Sequence, residues 1–171
     1  MDAPHTATAH YVKQYYLTVR TDPLGLVTIP GEGWYDECTH VTLTAPPLVP
    51  ISPGVRYRFD HWDVDTVTAP GNPIDVHMDA PHTATAHYVK QYYLTVTDNI
   101  GGLSDVSTQS GWYDGCTYVP LMAPPLVLVS PGVRYRFDYW DVDTTIVPGN
   151  PITVHMDAPH TATAHYVKQY Y

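Results

Sequence analysis

Sixteen residues, MDAPHTATAHYVKQYY, occur three times without a change, at 1–16, 78–93 and 156–171. Met78 follows Met1 by 77 positions, and Met156 follows Met78 by 78. A period of that length restricts the chain to repeated units that lean on neighbours, because one unit of this size buries only about 60% of its unfolded surface. The chain reads as a closing strand and seam over 1–14, a first module over 15–91, and a second over 92–171 that ends on the start of the next seam. Residues 1–14 close a module whose beginning is absent, so the sequence is expected to come from a longer array.

The rest of the composition says what the modules are made of. Hydrophobic residues are 44% of the chain and include fifteen tyrosines and four tryptophans, enough for a core and too many for a disordered tail. Eight basic residues stand against seventeen acidic ones, for a net charge of −9. That balance excludes a nucleic-acid or anionic-membrane partner, since both need a basic surface. No apolar run reaches the roughly 18 residues of a membrane span. Cys38 and Cys116 stand at equivalent positions, one per module. A single cysteine per repeat does not staple its own module, and pairing between modules or chains is the alternative to a buried free thiol.

Short alternating runs mark strands. Leu17 and Val19 share one face of the first, and Val41, Leu43 and Ala45 face inward from the next, stopped by Pro46-Pro47. Val55, Tyr57 and Phe59 share a face opposite Arg56 and Arg58. Trp62 falls three residues after Phe59, out of step, and a bulge near Asp60–His61 is expected to return it to the core. Gly71-Asn72-Pro73 is a turn. Ile74, Val76 and Met78 then alternate, followed by Ala84, Ala86 and Tyr88. If these last two runs form a hairpin, Met78 meets Ala84 and Asp75 meets His87. Pro120 replaces the outward Thr42 in module 2, which puts that strand at an edge. The Lys13–Gln14 join leaves little hinge. No segment has a helical period over ten residues, so the class is all-β: two small tandem modules in a linear array.

Taken in order, the motifs are Y-x-L-T-V, G-x-G-W-Y-D, V-x-L-x-A, G-V-x-Y-x-F-x-x-W, N-P-I-x-V-x-M-D and a closing T-A-x-Y-V. Over nearly the whole chain, in two copies, this resembles the divergent InlB B-repeat family of bacterial and archaeal surface proteins. The resemblance implies a small all-β module, related to the β-grasp type, in long extracellular or cell-surface chains, with no catalytic residues to carry over. Family members commonly have glycine where Cys38 and Cys116 stand.

Candidate chemistry is sparse. His82 and His87, five apart in an extended strand, lie about 17 Å apart on opposite faces and cannot hold one ion, so the histidines read as solvated surface. Asp60, Asp63 and Asp65, repeated as Asp138, Asp141 and Asp143, lack the kinked loop of a calcium site and read as solvated or arginine-paired strand ends. The serines sit in turns with no nucleophile elbow. Aromatics at alternating inward positions read as core before they read as a sugar platform. The chain is therefore expected to be no enzyme, with no cofactor and no metal. Translated modules hold Cys38 and Cys116 too far apart to pair with each other, so a disulfide would join neighbouring chains, or link the two modules if they are rotated to face each other. The expected role is a structural repeat of an extracellular filament or stalk whose partner is itself. Thr6, Ala7, Thr8, Ala9, His10, Tyr11 and Val12 form the assembly strand, because an unpaired edge invites another chain. The alternative is an adhesin that meets a glycan or host protein through the loops 20–33 and 97–111, where the modules diverge.

Overall fold

The computed structural model describes residues 3–170. The chain divides into two compact units: residues up to Val49 with Phe59–Tyr88, and Pro50–Arg58 with Val89 onward. Both are all-β. Among the described residues there is no α-helix, only one 3-10 turn at Val106–Gln109, so nothing adds weight to a β-grasp kinship.

The first sequence module contributes β1 (Gln14–Asp22), β2 (Gly33–Asp36), β3 (His40–Leu43), β4 (Leu48–Ser52), β5 (Val55–Val64), β6 (Val67–Ala69), β7 (Ile74–His77) and the first half of β8 (His82–Asp98). β8 is flanked by β5 on one side and by β1 on the other. β1 runs parallel to β8, with Leu17 opposite His82 and Asp22 opposite His87. β2 borders β1, β4 and β6 border β5, and β3 and β7 form a separate two-stranded sheet.

The second module repeats this order. It uses the later half of β8, then β9 (Gly111–Asp114), β10 (Tyr118–Leu121), β11 (Leu126–Ser130), β12 (Val133–Val142), β13 (Thr145–Val147), β14 (Ile152–His155) and β15 (His160–Tyr170). β15 lies parallel to β8, His160 opposite Leu94, and antiparallel to β12. The seam residues Lys90 and Gln91 are interior to the seventeen-residue β8, not a break between strands.

The alternation expected from sequence puts the right side chains inside. Leu17, Leu43, Ala45, Met78, Ala84 and Ala86 are fully buried in the first unit. In the second, Leu94 and Ala162 from the large sheet join Leu121, Val154 and Met156 in one cluster. A two-stranded sheet therefore covers one face of a larger one, a two-layer β architecture. Trp62 and Trp140 are 0% exposed. The β12–β15 register slips between Phe137 and Tyr139, so a bulge at Asp138 turns Trp140 inward, as the sequence spacing requires. Pro120 lies in two-stranded β10–β14, where each strand has a free side and a missing N–H costs no ladder bond.

The expected hairpin of Met78 on Ala84 does not form. Both edges of β8 are taken, and β7 pairs with β3 instead, Val76 opposite Val41. Asp75 accordingly bonds His40 at 2.7 Å, not His87. Asn72, the turn residue of N-P-I, holds the end of the adjacent segment: it accepts from the Ala45 N–H and donates to the Ala45 carbonyl. Asn150 does the same for Ala123.

Candidate functional site: seam, turns and histidine–carboxylate groups

The same seven residues are found in two states. Thr83–Val89 and Thr161–Val167 lie in β8 and β15, with their alanines buried. Thr6–Val12, their twin, takes no strand conformation, and Tyr11 is 92% exposed. The assembly strand expected from sequence is thus a strand only where β1-like and β5-like neighbours supply its ladder. An isolated extended segment has no partner for its N–H groups and no layer for its methyls.

The second unit includes residues 50–58, and they form a docking arrangement the sequence reading misses. The Tyr93 N–H donates to the Gly54 carbonyl at 2.9 Å. Gly54, at φ +73°, leaves no room for a side chain, since a Cβ would lie 2.9 Å from Pro159. Arg56 sits 4.2 Å over the Trp112 ring and donates to Gln91 at 2.8 Å. Arg58 pairs with Asp114 at 3.3 Å, and Gln91 donates to the same carboxylate. The first unit carries the receiving half alone: Trp34 packs edge-on against Tyr16, Gln14 donates to Asp36, and Trp34 is 66% exposed. The duplicated R-x-R and W-Y-D motifs were the available signal.

Cys38 and Cys116 are free and exposed, which overturns the buried-thiol reading. Both occupy turns after β2 and β9 with φ of +61° and +62°. That is the left-handed region, which costs a residue with a Cβ about 1–2 kcal/mol and costs glycine none. A glycine, which the family resemblance leads one to expect here, would take this conformation without that cost. The conformation is held by backbone bonds from Cys38 to the Met78 carbonyl and from Cys116 to that of Met156.

Several histidines are paired with carboxylates instead of being simply solvated. His82 binds Asp65 through Nδ1 and Asp79 through Nε2 at 3.0 Å. His160 repeats this with Asp143 and Asp157. The bond to Asp65 raises the His82 pKa above its ordinary value, against the opposing effect of burial. For His160 burial acts downward, and the bonds to Asp143 and Asp157 outweigh it. Asp65-Thr66 and Asp143-Thr144 both have positive φ at paired positions, a tight hairpin turn that aims each aspartate at its histidine. The expected arginine pairing of the aspartates holds for Arg136 with Asp138 at 3.1 Å. In module 1, Asp63 and Asp65 face histidines.

A second group, invisible to spacing along one strand, forms across strands. His61 and His87 stack at 4.6 Å between centroids. His87 Nε2 lies 3.2 Å from Asp63 Oδ2, and His61 Nε2 lies 3.7 Å from Asp63 Oδ1. Asp22 meets His87 Nδ1 at 3.1 Å, and Asp60 meets His61 Nδ1 at 3.0 Å. In module 2, Tyr139 takes the place of His61 and stacks on His165.

The diverging loops also differ in filling. Loop 20–33 borders a half-open hollow of about 290 Å³ lined by Val19, Leu24, Ile29 and Glu32 among others. In loop 97–111, Val106 is buried and Asp98 accepts from the N–H groups of Ile100, Gly102 and Ser104. Burial alone would raise the Asp98 carboxyl, but the Ser104 hydroxyl and these amides hold it below the usual range.

No curated protein matches the chain. Among solved structures, the Streptococcal High Identity Repeats in Tandem (SHIRT) domains 3-4 from a cell surface protein align over 91% of this chain and 98% of that one. They share 12% identity at a TM-score of 0.27, too low to bear on the fold. Residues 15–91 match the divergent InlB B-repeat domain. Module 2 carries the same motifs in the same order, with Gln109 for the first glycine of G-x-G-W-Y-D, so the similarity of residues 15–91 to that family recurs along the chain as a tandem repeat.

Proposed function

We propose that the chain is a non-catalytic structural repeat of an extracellular or cell-surface filament or stalk, and that copies join through the seam. The observation that carries this reading is the pair of matching halves. Trp34 and Asp36 repeat Trp112 and Asp114, and Arg134 and Arg136 repeat Arg56 and Arg58. Thr6–Val12 of one copy enters the sheet of the next in place of its twin Thr161–Val167. The exchange conserves every strand contact because the residues are identical. The gain is the new seam, with Arg134 over Trp34 and Arg136 beside Asp36, which offsets the entropy of association. The extracellular placement rests on the family resemblance. Exposure leaves Cys38 and Cys116 open to oxidative pairing between copies.

Sedimentation of charge-swapped chains tests the reading. Asp36→Arg and Arg136→Asp should each reduce association up to about fivefold, the effect of losing at most about 1 kcal/mol, and the double variant should restore it. A wild-type chain that stays monomeric up to millimolar concentration, or a double variant no better than the singles, overturns it.

The hollow in loop 20–33 favours one second reading. A contact loop of an adhesin, meeting a glycan or host protein, would use this concavity.

A further inference from the structure

We infer that module 1 carries a binding site for one divalent transition-metal ion of the zinc type, built from His61, Asp63 and His87. Their ligand atoms all lie within 4.8 Å of one another. The topology explains the convergence. In module 2 the bulged strand places Tyr139 opposite His165, and His61 and His87 are the equivalent pair. Asp63 lies two residues beyond His61, on the same face of β5. Two imidazoles and a carboxylate suit zinc and its neighbours, whereas calcium would require six or more oxygens.

The hydrogen bonds select the ligand atoms. Asp60 and Asp22 each accept from a histidine Nδ1, at 3.0 and 3.1 Å. This is the outer carboxylate that fixes tautomer and ring direction in histidine–metal sites. With Nδ1 donating to its outer carboxylate, each ring turns Nε2 toward Asp63, itself an acceptor. Contacts from Nε2 to carboxylate oxygens at 3.2 and 3.7 Å call for a positive charge between them, either a ring proton or a shared metal ion. One divalent cation satisfies all three. Bonds of 2.0–2.1 Å in tetrahedral geometry put ligand atoms about 3.3 Å apart, close to the spacing of His87 and Asp63. Binding requires the two stacked rings to tilt apart around the ion. Three protein ligands leave a fourth position for water, consistent with side chains about one-third exposed.

The second module serves as an internal control. It keeps Asp141 and His165 but has Tyr139 for His61 and Asn99 for Asp22. It loses one ligand and one outer carboxylate, so the stoichiometry is one ion per chain. This inference does not depend on how copies assemble.

The test is calorimetric titration of the untagged full chain with Zn²⁺ at pH 7.5, with Co²⁺ absorption as a report of tetrahedral geometry. One equivalent should bind. His61→Tyr, a change module 2 already accommodates, should abolish the site, and Asp22→Asn should weaken it about 10–100-fold. Tyr139→His with Asn99→Asp should raise the stoichiometry to two. Absence of binding in the wild type, binding unchanged in His61→Tyr, or a stoichiometry still of one in the rebuilt variant overturns the inference.

Discussion

His160 is held between Asp143 and Asp157, and its stabilising effect depends on being charged. Its folded-state pKa is raised above the usual value near 6.5. The stabilisation is therefore complete below that value and is lost as pH rises through the folded one. The Asp157 carboxyl is lowered, chiefly by its bond to His160, so its contribution is present above the usual carboxylate range and lost as pH falls through its folded value. The group works best in mildly acid solution. His160→Gln should lower the melting temperature of the second unit more at pH 5.5 than at pH 8.5. Equal losses at the two pH values would show that the pairing adds no charge-dependent stability. Neither histidine–carboxylate group could be read from spacing. Asp143 and His160 are seventeen residues apart, and only the turn at Asp143-Thr144 brings them together.

At the scale of strands, the faces were legible and the partners were not. Alternation assigns a face because side chains alternate every residue. It put Leu43, Ala84 and Met78 inside, and with a bulge it put Trp62 inside too. Which strands lie side by side depends on competition for edges, which no local pattern encodes. That is why β7 was expected beside β8 and lies on β3, and why the parallel β1–β8 ladder was not foreseen. The His61–Asp63–His87 group was hidden for the same reason, since it needs the cross-strand register. The bulge makes a measurable claim. Trp140 is buried because the register slips by one residue at Asp138, so Trp140→Ala leaves a large cavity. It should cost about 3–5 kcal/mol, read as a lower urea midpoint for the second unit. A cost under about 1 kcal/mol would mean the indole is not packed.

For the molecule as a whole, charge and apolar contact act on association in opposite directions. Each copy carries −9, and like charges further apart than about 10 Å are screened at 0.1 M salt. The proposed seam adds an ion pair like that of Arg58 with Asp114, whose partners are over one-third exposed. Such a pair is worth at most about 1 kcal/mol and is itself screened. The arginine–indole contact is less sensitive to salt, because it includes burial of the ring face. General repulsion should dominate, and association should strengthen as salt rises from about 0.01 to 0.15 M, the range over which the screening length falls from about 30 to 8 Å. Weakening over that range would assign the seam to its ion pair.

The three identical seams also bear on how such a chain could change length. All three have the same sixteen residues, and in the two copies that lie in strands Ala84, Ala86 and Tyr88 are buried as Ala162, Ala164 and Tyr166 are. Genetic recombination between adjacent seam copies, at any of the sixteen shared positions, removes or inserts one entire module. No core loses a side chain and no strand loses its register, because the crossover falls between residues that are the same in both parents. A gene built this way can lengthen or shorten its product in steps of one module, with each product folding by the same rules as its parent.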